Sequence, residues 1–224
     1  MVLMSSLQRV LPNRSDRPFL PSLYKTACIA FSAKAKDVLV ATKFKIVNTG
    51  TLNLASGGSY RFGTGFYGFM SGTERSLIRN RGSLTFLCSV SIGIGARWDV
   101  GPGASVTIGA GTHFSPTTTL IAVDAITIGE DCAIAWDVQI LDADFHAHGS
   151  RGEIVGALAS EFTAPVRIGD HVWIGSHARL YKGVTIADGC IVAGNATVTR
   201  SFLESGSLIA GSPARVIKRG IEWK

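Results

Sequence analysis

Six aliphatic residues recur at strict six-residue spacing near the end of this 224-residue chain. They are Ile168, Ile174, Leu180, Ile186, Val192 and Val198. A second apolar or small residue stands two positions before each of them, at Val166, Val172, Ala178, Val184, Cys190 and Ala196. An α-helix cannot keep such a stripe buried, because 3.6 residues per turn rotate it away from any one face. The spacing predicts a parallel β-helix, in which each hexad supplies a short strand and a corner and three hexads close one coil.

The same phase recurs upstream and is then interrupted. It is shared by Ile128, Ile134 and Ile140. The interval from Ile140 to Ile168 is not a multiple of the hexad length. Residues 144–163 are therefore predicted to form a loop that is extruded from one corner of the coil. Long loops on a rigid scaffold tend to carry function.

Three segments are predicted along the chain. Residues 1–36 form a basic N-terminal cap segment, residues 37–211 the β-helix with irregular first coils, and residues 212–224 a capping helix and tail. A helix is favoured there because Ser212 is a good N-cap and Pro213 a good first helical residue. It would cover the strand edges of the final coil, which otherwise invite aggregation.

Positive charge is concentrated at the N-terminus. The formal net charge is +6, and residues 1–45 carry eight Lys or Arg against two Asp, which leaves the remainder neutral. The basic pI therefore does not indicate a nucleic-acid-binding domain. The segment is expected to be a solvated cap, with peripheral contact to an anionic membrane surface or an acidic polysaccharide as the alternative. Without a clear signal peptide or a run of about 20 apolar residues, a cytoplasmic location is expected.

The cysteines show no paired spacing. The four residues Cys28, Cys88, Cys132 and Cys190 are scattered, and two of them stand at inward hexad positions where a thiol packs as a small apolar group. We expect structural thiols, with no disulfide and no metal.

Four ionisable side chains stand within seven residues at the start of the predicted loop. They are Asp142, Asp144, His146 and His148. In an extended chain these alternate positions share one face. A carboxylate can orient a neighbouring imidazole and stabilise its protonated form, which suits a general base. The cluster predicts a catalytic site, with a polar loop of no function as the alternative.

The chain resembles the hexapeptide-repeat acyltransferases. The resemblance is carried by the hexads, the D-x-D-x-H step of residues 142–146, the Val-Trp-Ile-Gly of residues 172–175 and the Ala-Gly-Ser-Pro-Ala-Arg-Val-Ile of residues 210–217. It covers residues 83–220 and is similar to the maltose/galactoside O-acetyltransferase-like branch, which includes enzymes of O-antigen and capsule biosynthesis. It implies an all-β, left-handed parallel β-helix that forms a homotrimer, with acetyl-CoA lying in a groove between adjacent subunits.

The resemblance also implies roles for the loop residues. His146 would be the general base that takes a proton from an acceptor hydroxyl as its oxygen attacks the thioester, without a covalent intermediate; His148 is the fallback. Asp144 or Asp142 would orient the imidazole. Contacts with the acceptor are predicted for Phe145, His148 and Asp124.

Small residues are expected where the pantetheine arm of the donor approaches the backbone closely. Gly175, Ser176 and Ala178 lie in one hexad, and Gly194, Asn195 and Ala196 follow three hexads later, so the two groups should stack one coil apart. The resemblance places Trp173 beside the donor, with a packing role as the alternative. Further donor-binding candidates are Lys182, Arg200, Pro213, Arg215 and Lys218.

We therefore expect an acetyl-CoA-dependent O-acetyltransferase that acts on a hydroxyl of a sugar or glycan precursor. Transfer to the nitrogen of an amino sugar or antibiotic is the alternative. A zinc enzyme similar to the γ-class carbonic anhydrases is a further, less favoured alternative. Its ligands would come from His113, His171 and His177, of which the last two are expected to stack on one face.

Overall fold

The structure is a computed structural model that describes residues 35, 37–65, 73–146 and 162–224. The predicted N-terminal cap segment, apart from Ala35, lies outside the described residues, as does the part of the predicted loop from 147 to 161 that includes His148.

Short strands joined by corners form three sheets. The first sheet contains β1 (Asp37–Val40), β4 (Ser59–Thr64), β7 (Ser91–Gly93), β10 (His113–Phe114), β13 (Ala133–Ile134), β16 (Trp173–Ile174), β19 (Ile191–Val192), β21 (Leu208–Gly211) and β22 (Ala214–Lys218). The second contains β2 (Phe44–Asn48), β5 (Ser76–Asn80), β8 (Arg97–Val100), β11 (Thr119–Ala122), β14 (Gln139–Leu141), β17 (Arg179–Leu180) and β20 (Thr197–Val198). The third contains β3 (Thr51–Leu54), β6 (Ser83–Phe86), β9 (Ser105–Ile108), β12 (Ala125–Ile128), β15 (Val166–Ile168) and β18 (Thr185–Ile186).

Strands β1 to β20 visit the three sheets in turn, and each strand from β1 to β17 pairs in parallel with the strand three places further on. This is a parallel β-helix, so the period-six spacing predicted the architecture correctly. Within the described part of the chain, no helix is long and apolar enough to cross a membrane.

The pairing register shows where the repeat is regular. Trp173 pairs with Ile191, which stands three hexads further along the chain. Ala133 pairs with Trp173 across the extruded loop, so the coil that carries the loop is more than twice as long as a regular one. Before the loop, Ser91 pairs with His113, and this step also exceeds three hexads. These earlier coils are larger, which explains why the six-residue phase is weak there.

The inward side chains stack from coil to coil and form one core. From β13 onward they are mainly aliphatic, as in the stack of Ile134, Ile174 and Val192, all fully buried. The larger early coils are filled by aromatic rings instead. Phe86 and Trp98 stack with their ring centres 6.4 Å apart. The wider coil has more interior volume, and aromatic side chains fill it to the density that protein interiors require.

Corners bring backbone against backbone. A Cβ added to Gly109 would lie 2.3 Å from the carbonyl carbon of Gly129 on the next coil, so no side chain fits at Gly109. Other corners use left-handed residues other than glycine, among them His171 at φ 53° and His177 at φ 61°.

The predicted C-terminal helix is wrong. Residues Ala214–Lys218 form strand β22, which turns back and pairs antiparallel with β21. Ser212 and Pro213 lie in the tight turn between these two strands, a position that both residue types favour as strongly as a helix start. The unpaired backbone groups at the edge of β21 can form hydrogen bonds with an adjacent strand, whereas the backbone groups of a helix are already paired within the helix. The new edge carries Arg215 and Lys218, and such charges discourage further strand addition.

The inward stack is tested by one core residue and one matched surface residue. Ile174→Ala removes a fully buried side chain, and we expect the free energy of unfolding to fall by about 2–5 kcal/mol. Ile217→Ala on β22, where the side chain is 63% exposed, should change it by less than about 0.5 kcal/mol. Urea denaturation followed by circular dichroism measures both. Equal losses would contradict the assigned inward phase.

Candidate functional site

The predicted loop leaves the coil between β14 and β15, and its two ends are held together. Ala143 and Thr163 form an antiparallel bridge, and the Asp144 amide donates a hydrogen bond to the Phe162 carbonyl oxygen at 3.0 Å. His146 is exposed and lies three residues beyond this bridge. The root of the loop is therefore tied to the corner between the second and third sheets.

Asp142 supports the neighbouring coil. Its side chain is fully buried, and its two carboxylate oxygens accept hydrogen bonds from the amides of Val123 and Asp124, each at 2.8 Å. Burial raises the pKa of Asp142 above its ordinary value, although the two amide hydrogen bonds act in the opposite direction. The predicted role of orienting His146 does not suit this carboxylate, because both of its oxygens are bound to the β11–β12 corner.

The three described members of the predicted cluster, Asp142, Asp144 and His146, do not share one face. Strand β14 ends at Leu141, and Phe145 has φ 61°, in the left-handed region that aromatic residues rarely adopt. The alternation of an extended strand is lost at this point. Asp142 is buried, Asp144 is half-buried and His146 is exposed.

Asp144 pairs with a lysine from the next coil. Its Oδ2 lies 2.7 Å from Nζ of Lys182, and that ammonium group lies 5.9 Å from the centre of the Phe162 ring. Lys182, which was predicted to bind the donor, therefore lies at the root of the loop. Asp144 is thus held two residues from His146 by an ion pair between coils.

The predicted stacking of small residues is observed. The corner after β16 contains Gly175 and Ser176, and the corner after β19 contains Gly194 and Asn195. The Asn195 amide donates to the Ser176 carbonyl oxygen at 2.9 Å, so the two corners lie directly one above the other. A Cβ on Gly175 would lie only 2.5 Å from the Gly194 nitrogen. Gly194 and Asn195 are exposed.

Two of the predicted donor-binding residues point elsewhere. The side chains of Ala178 and Ala196 are fully buried in the core, so only their backbone could meet a ligand. Hexad phase explains this, because both occupy the inward position two residues before an aliphatic one.

The basic candidates lie at two places. Lys182 and Arg200 stand three hexads apart at stacked corners after β17 and β20, and the Arg200 guanidinium lies 5.3 Å from the centre of the Phe202 ring. Pro213, Arg215 and Lys218 are exposed on the β21–β22 hairpin.

The C-terminal tail docks on the coil through an aromatic contact that the sequence did not reveal. The rings of His171 and Trp223 are stacked, with centres 4.1 Å apart and planes 5° from parallel. The Trp223 indole donates to the His171 carbonyl oxygen at 2.9 Å, and His171 Nε2 lies 3.0 Å from the Trp223 carbonyl oxygen. Trp173 is 42% exposed on β16, with its ring centre 6.1 Å from that of Trp223. A lone tryptophan near a chain end carries no spacing signal.

The histidines proposed as zinc ligands are not arranged as predicted. His171 and His177 precede β16 and β17, which belong to different sheets, so they occupy different corners of one coil. The expectation that they stack on one face is wrong, because each hexad takes the chain from one sheet to the next. Among the residues described, no group of three or more His, Cys, Asp or Glu side chains is placed to hold a metal ion.

Known proteins resemble this chain in sequence and in fold. The pattern described as "Bacterial transferase hexapeptide (six repeats)" matches residues 165–200. An uncharacterized 24.8 kDa protein in the cps region of Klebsiella pneumoniae is 32% identical over 84% of this chain and 82% of that protein. The putative lipopolysaccharide biosynthesis O-acetyl transferase WbbJ of Escherichia coli K12 is 30% identical over 63% of this chain and 74% of its own. The structure of the polysialic acid O-acetyltransferase OatWY has a TM-score of 0.56 and 24% identity over 85% of this chain and 88% of that chain.

A coil built from hexads, with a loop extruded from one corner, defines the class of the left-handed parallel β-helix transferases. The chain belongs to the hexapeptide-repeat acyltransferase family. The predictions of the family, of the fold and of an acyltransferase are confirmed.

The division of roles between the two aspartates can be tested by comparing stability with activity. Asp142→Ala leaves two buried amides without an acceptor, and we expect the free energy of unfolding to fall by about 2–5 kcal/mol. Asp144→Ala removes a partly exposed ion pair, so its loss should stay below about 1 kcal/mol while acyl transfer falls. Denaturation curves and initial rates measure the two effects. A larger stability loss for Asp144→Ala would contradict the assignment.

The docking of the tail can be tested at Trp223. Trp223→Ala removes the ring stack and the indole hydrogen bond, and we expect the free energy of unfolding to fall by about 2 kcal/mol. Trp223→Phe keeps a stacked ring but lacks the donor, so its loss should be about half as large. Thermal unfolding measures both variants, and an alanine variant as stable as the wild type would show that the tail is not held by this contact.

Proposed function

We propose that the protein is an O-acetyltransferase that moves an acetyl group from acetyl-CoA to a hydroxyl of a sugar or glycan precursor, with His146 as the general base. The observation that carries this proposal is the root of the loop. There an exposed imidazole follows Asp144, whose carboxylate is held by Lys182 at 2.7 Å. The relative WbbJ, named as an O-acetyl transferase of lipopolysaccharide biosynthesis, supports the sugar acceptor.

The reaction needs one proton acceptor. The His146 imidazole takes the proton of the acceptor hydroxyl while the hydroxyl oxygen attacks the thioester carbonyl carbon. The C–S bond then breaks, and the leaving thiolate receives the proton from the imidazolium. Such proton transfer contributes about 10²–10⁴ in rate, and positioning supplies much of the remainder. Asp144 is the carboxylate available to stabilise the imidazolium, because Asp142 is bound to the neighbouring corner.

The donor would lie against the corners that hold Gly175 and Gly194. The exposed backbone of Gly194 and Asn195 permits the close approach that a pantetheine arm requires. Trp173 offers an exposed ring on the preceding strand. Arg200, Arg215 and Lys218 are exposed and can pair with phosphate groups, whereas Lys182 already pairs with Asp144.

These donor corners and His146 do not meet within one protomer. The corners lie between the first and second sheets, and the loop root lies between the second and third, so the width of the second sheet separates them. A cyclic trimer would bring the corner of one subunit opposite the loop of the next and would create three equal sites. We therefore include a homotrimer in the proposal.

The acceptor would bind at the loop root. Phe145 and Asp124 are half-buried on adjacent coils at this corner. The contact predicted for His148 lies outside the described residues. The cytoplasmic location and the membrane contact of residues 1–36 stay predictions.

The assignment of the base is tested by comparing two histidine variants. We expect His146→Ala to lower kcat by roughly 10²–10⁴ with little change in KM for acetyl-CoA, since the imidazole acts on the proton and not on donor binding. His113→Ala, at an exposed position on β10 of the first sheet, is the matched control and should keep kcat within about twofold. Release of free CoA measures the rate with a panel of sugars and amino sugars.

Light scattering accompanies the assay. Both variants should have the mass of the wild-type trimer. An active His146→Ala together with an inactive His148→Ala would move the base along the loop. A monomeric but fully active wild type would contradict the site between subunits.

A further inference from the structure

Six cations cluster on the outward face of the second sheet at its N-terminal end. The basic face consists of Lys43, Lys45, Arg75, Arg79, Arg81 and Arg97. All six side chains are exposed. The pairing register brings them together, because β2 pairs with β5 and β5 with β8. Two acidic residues, Glu74 and Asp99, stand on the same part of the sheet, so the face keeps a clear excess of positive charge.

Asp99 orders two of the arginines without neutralising both. Arg79 makes two hydrogen bonds to the Asp99 carboxylate, one of them from Nε to Oδ1 at 3.1 Å, and Arg81 Nη2 lies 3.2 Å from the same Oδ1. One carboxylate between two guanidinium groups leaves one net positive charge. An exposed pair of this kind adds little stability. Its effect is to fix the planes of the guanidinium groups, which suits recognition of carboxylates.

The charge of the N-terminal segment does not suit it to cover this face. Residues 1–36 carry six Lys or Arg against one Asp, so their charge has the same sign as the basic face. A second copy that docked through the same face would also be repelled. The charge favours an anionic partner.

The same face leads in register to the catalytic loop. The outward row that contains Asp99 continues through Ile121 to Leu141, where β14 ends and the loop root begins. The row beside it runs from Arg97 through Thr119 to Gln139, whose hydroxyl and amide groups suit hydrogen bonding to sugars. Two strand spacings, about 10 Å, separate β8 from β14.

We propose that the acceptor is an anionic glycan whose sugars carry carboxylates, and that it lies along the second sheet. Its charges would contact the basic face, its neutral hydroxyls would meet Thr119 and Gln139, and the reacting hydroxyl would reach His146. The inference rests on the proposed function and specifies its substrate class. Because the charges are exposed, added salt should weaken the binding.

The test compares charge reversal on two faces of the β-helix. Arg79→Glu/Arg97→Glu removes the excess positive charge of the basic face, and Arg167→Glu reverses the charge of an exposed arginine on β15 of the third sheet. The probes are an oligogalacturonate and a neutral malto-oligosaccharide of equal length, with binding measured by calorimetry at low and high NaCl. We expect the wild type and Arg167→Glu to bind the oligogalacturonate alike, the double variant to lose about tenfold or more in affinity, and the neutral probe not to bind.

Folding is controlled separately. Arg97→Gln leaves the Asp99 pairs intact, so it should fold like the wild type and lose part of the affinity. Unchanged oligogalacturonate binding in both face variants would overturn the proposal. The proposal would also be overturned if the face variants lost binding to anionic lipid vesicles but not to the oligogalacturonate. The basic face would then be a membrane contact.

The variant His146→Ala distinguishes a failure of the proposed reaction from a failure of the proposed acceptor class. This variant should bind the oligogalacturonate with wild-type affinity while losing transfer. If His146→Ala keeps transfer, the proposed function fails whatever the basic face binds. If transfer depends on His146 but the face variants bind the oligogalacturonate as the wild type does, only the acceptor class is wrong.

Discussion

Each strand from β1 to β17 hydrogen-bonds to the strand one coil further on, in all three sheets, and this stacking constrains the rest of the described structure. An inward side chain must meet another inward side chain of similar size one coil away, as Ile174 meets Val192. A corner must let the next backbone pass, which Gly109 does by having no Cβ. A six-residue repeat satisfies both demands. Where the coils are wider, aromatic rings such as Trp98 fill the interior.

The residues at the root of the loop also depend on contacts between coils. Asp142 accepts hydrogen bonds from two backbone amides of the preceding coil, and Asp144 forms an ion pair with Lys182 of the next coil. The loop can therefore leave the scaffold without loosening it, because the residues on either side of the exit are bound above and below. The backbone that leads to His146 is therefore fixed at Asp142 and Asp144, while the His146 side chain stays exposed.

Three features of the structure could not be predicted from a local sequence pattern. The Trp223 contact with His171 joins positions 52 residues apart in the chain, and no repeat relates them. The C-terminal segment was predicted as a helix, since the Ser-Pro pair starts helices and forms turns equally well; the open edge of β21 selected the strand. The basic face arises only when β2, β5 and β8 lie side by side.

The sequence by itself determined the coil, its inward phase, the position of the loop and the histidine at its root, because period-six spacing and a break in it are local properties. The tertiary structure decided that Asp142 binds the neighbouring corner and that Asp144 pairs with Lys182. That division could not be read from the sequence, because β14 ends at Leu141 and the partners of the two carboxylates come from neighbouring coils. It also decided that the corners of Gly175 and Gly194 lie at one edge of the second sheet and the root of the loop at the other, since this depends on how strands of separate coils align.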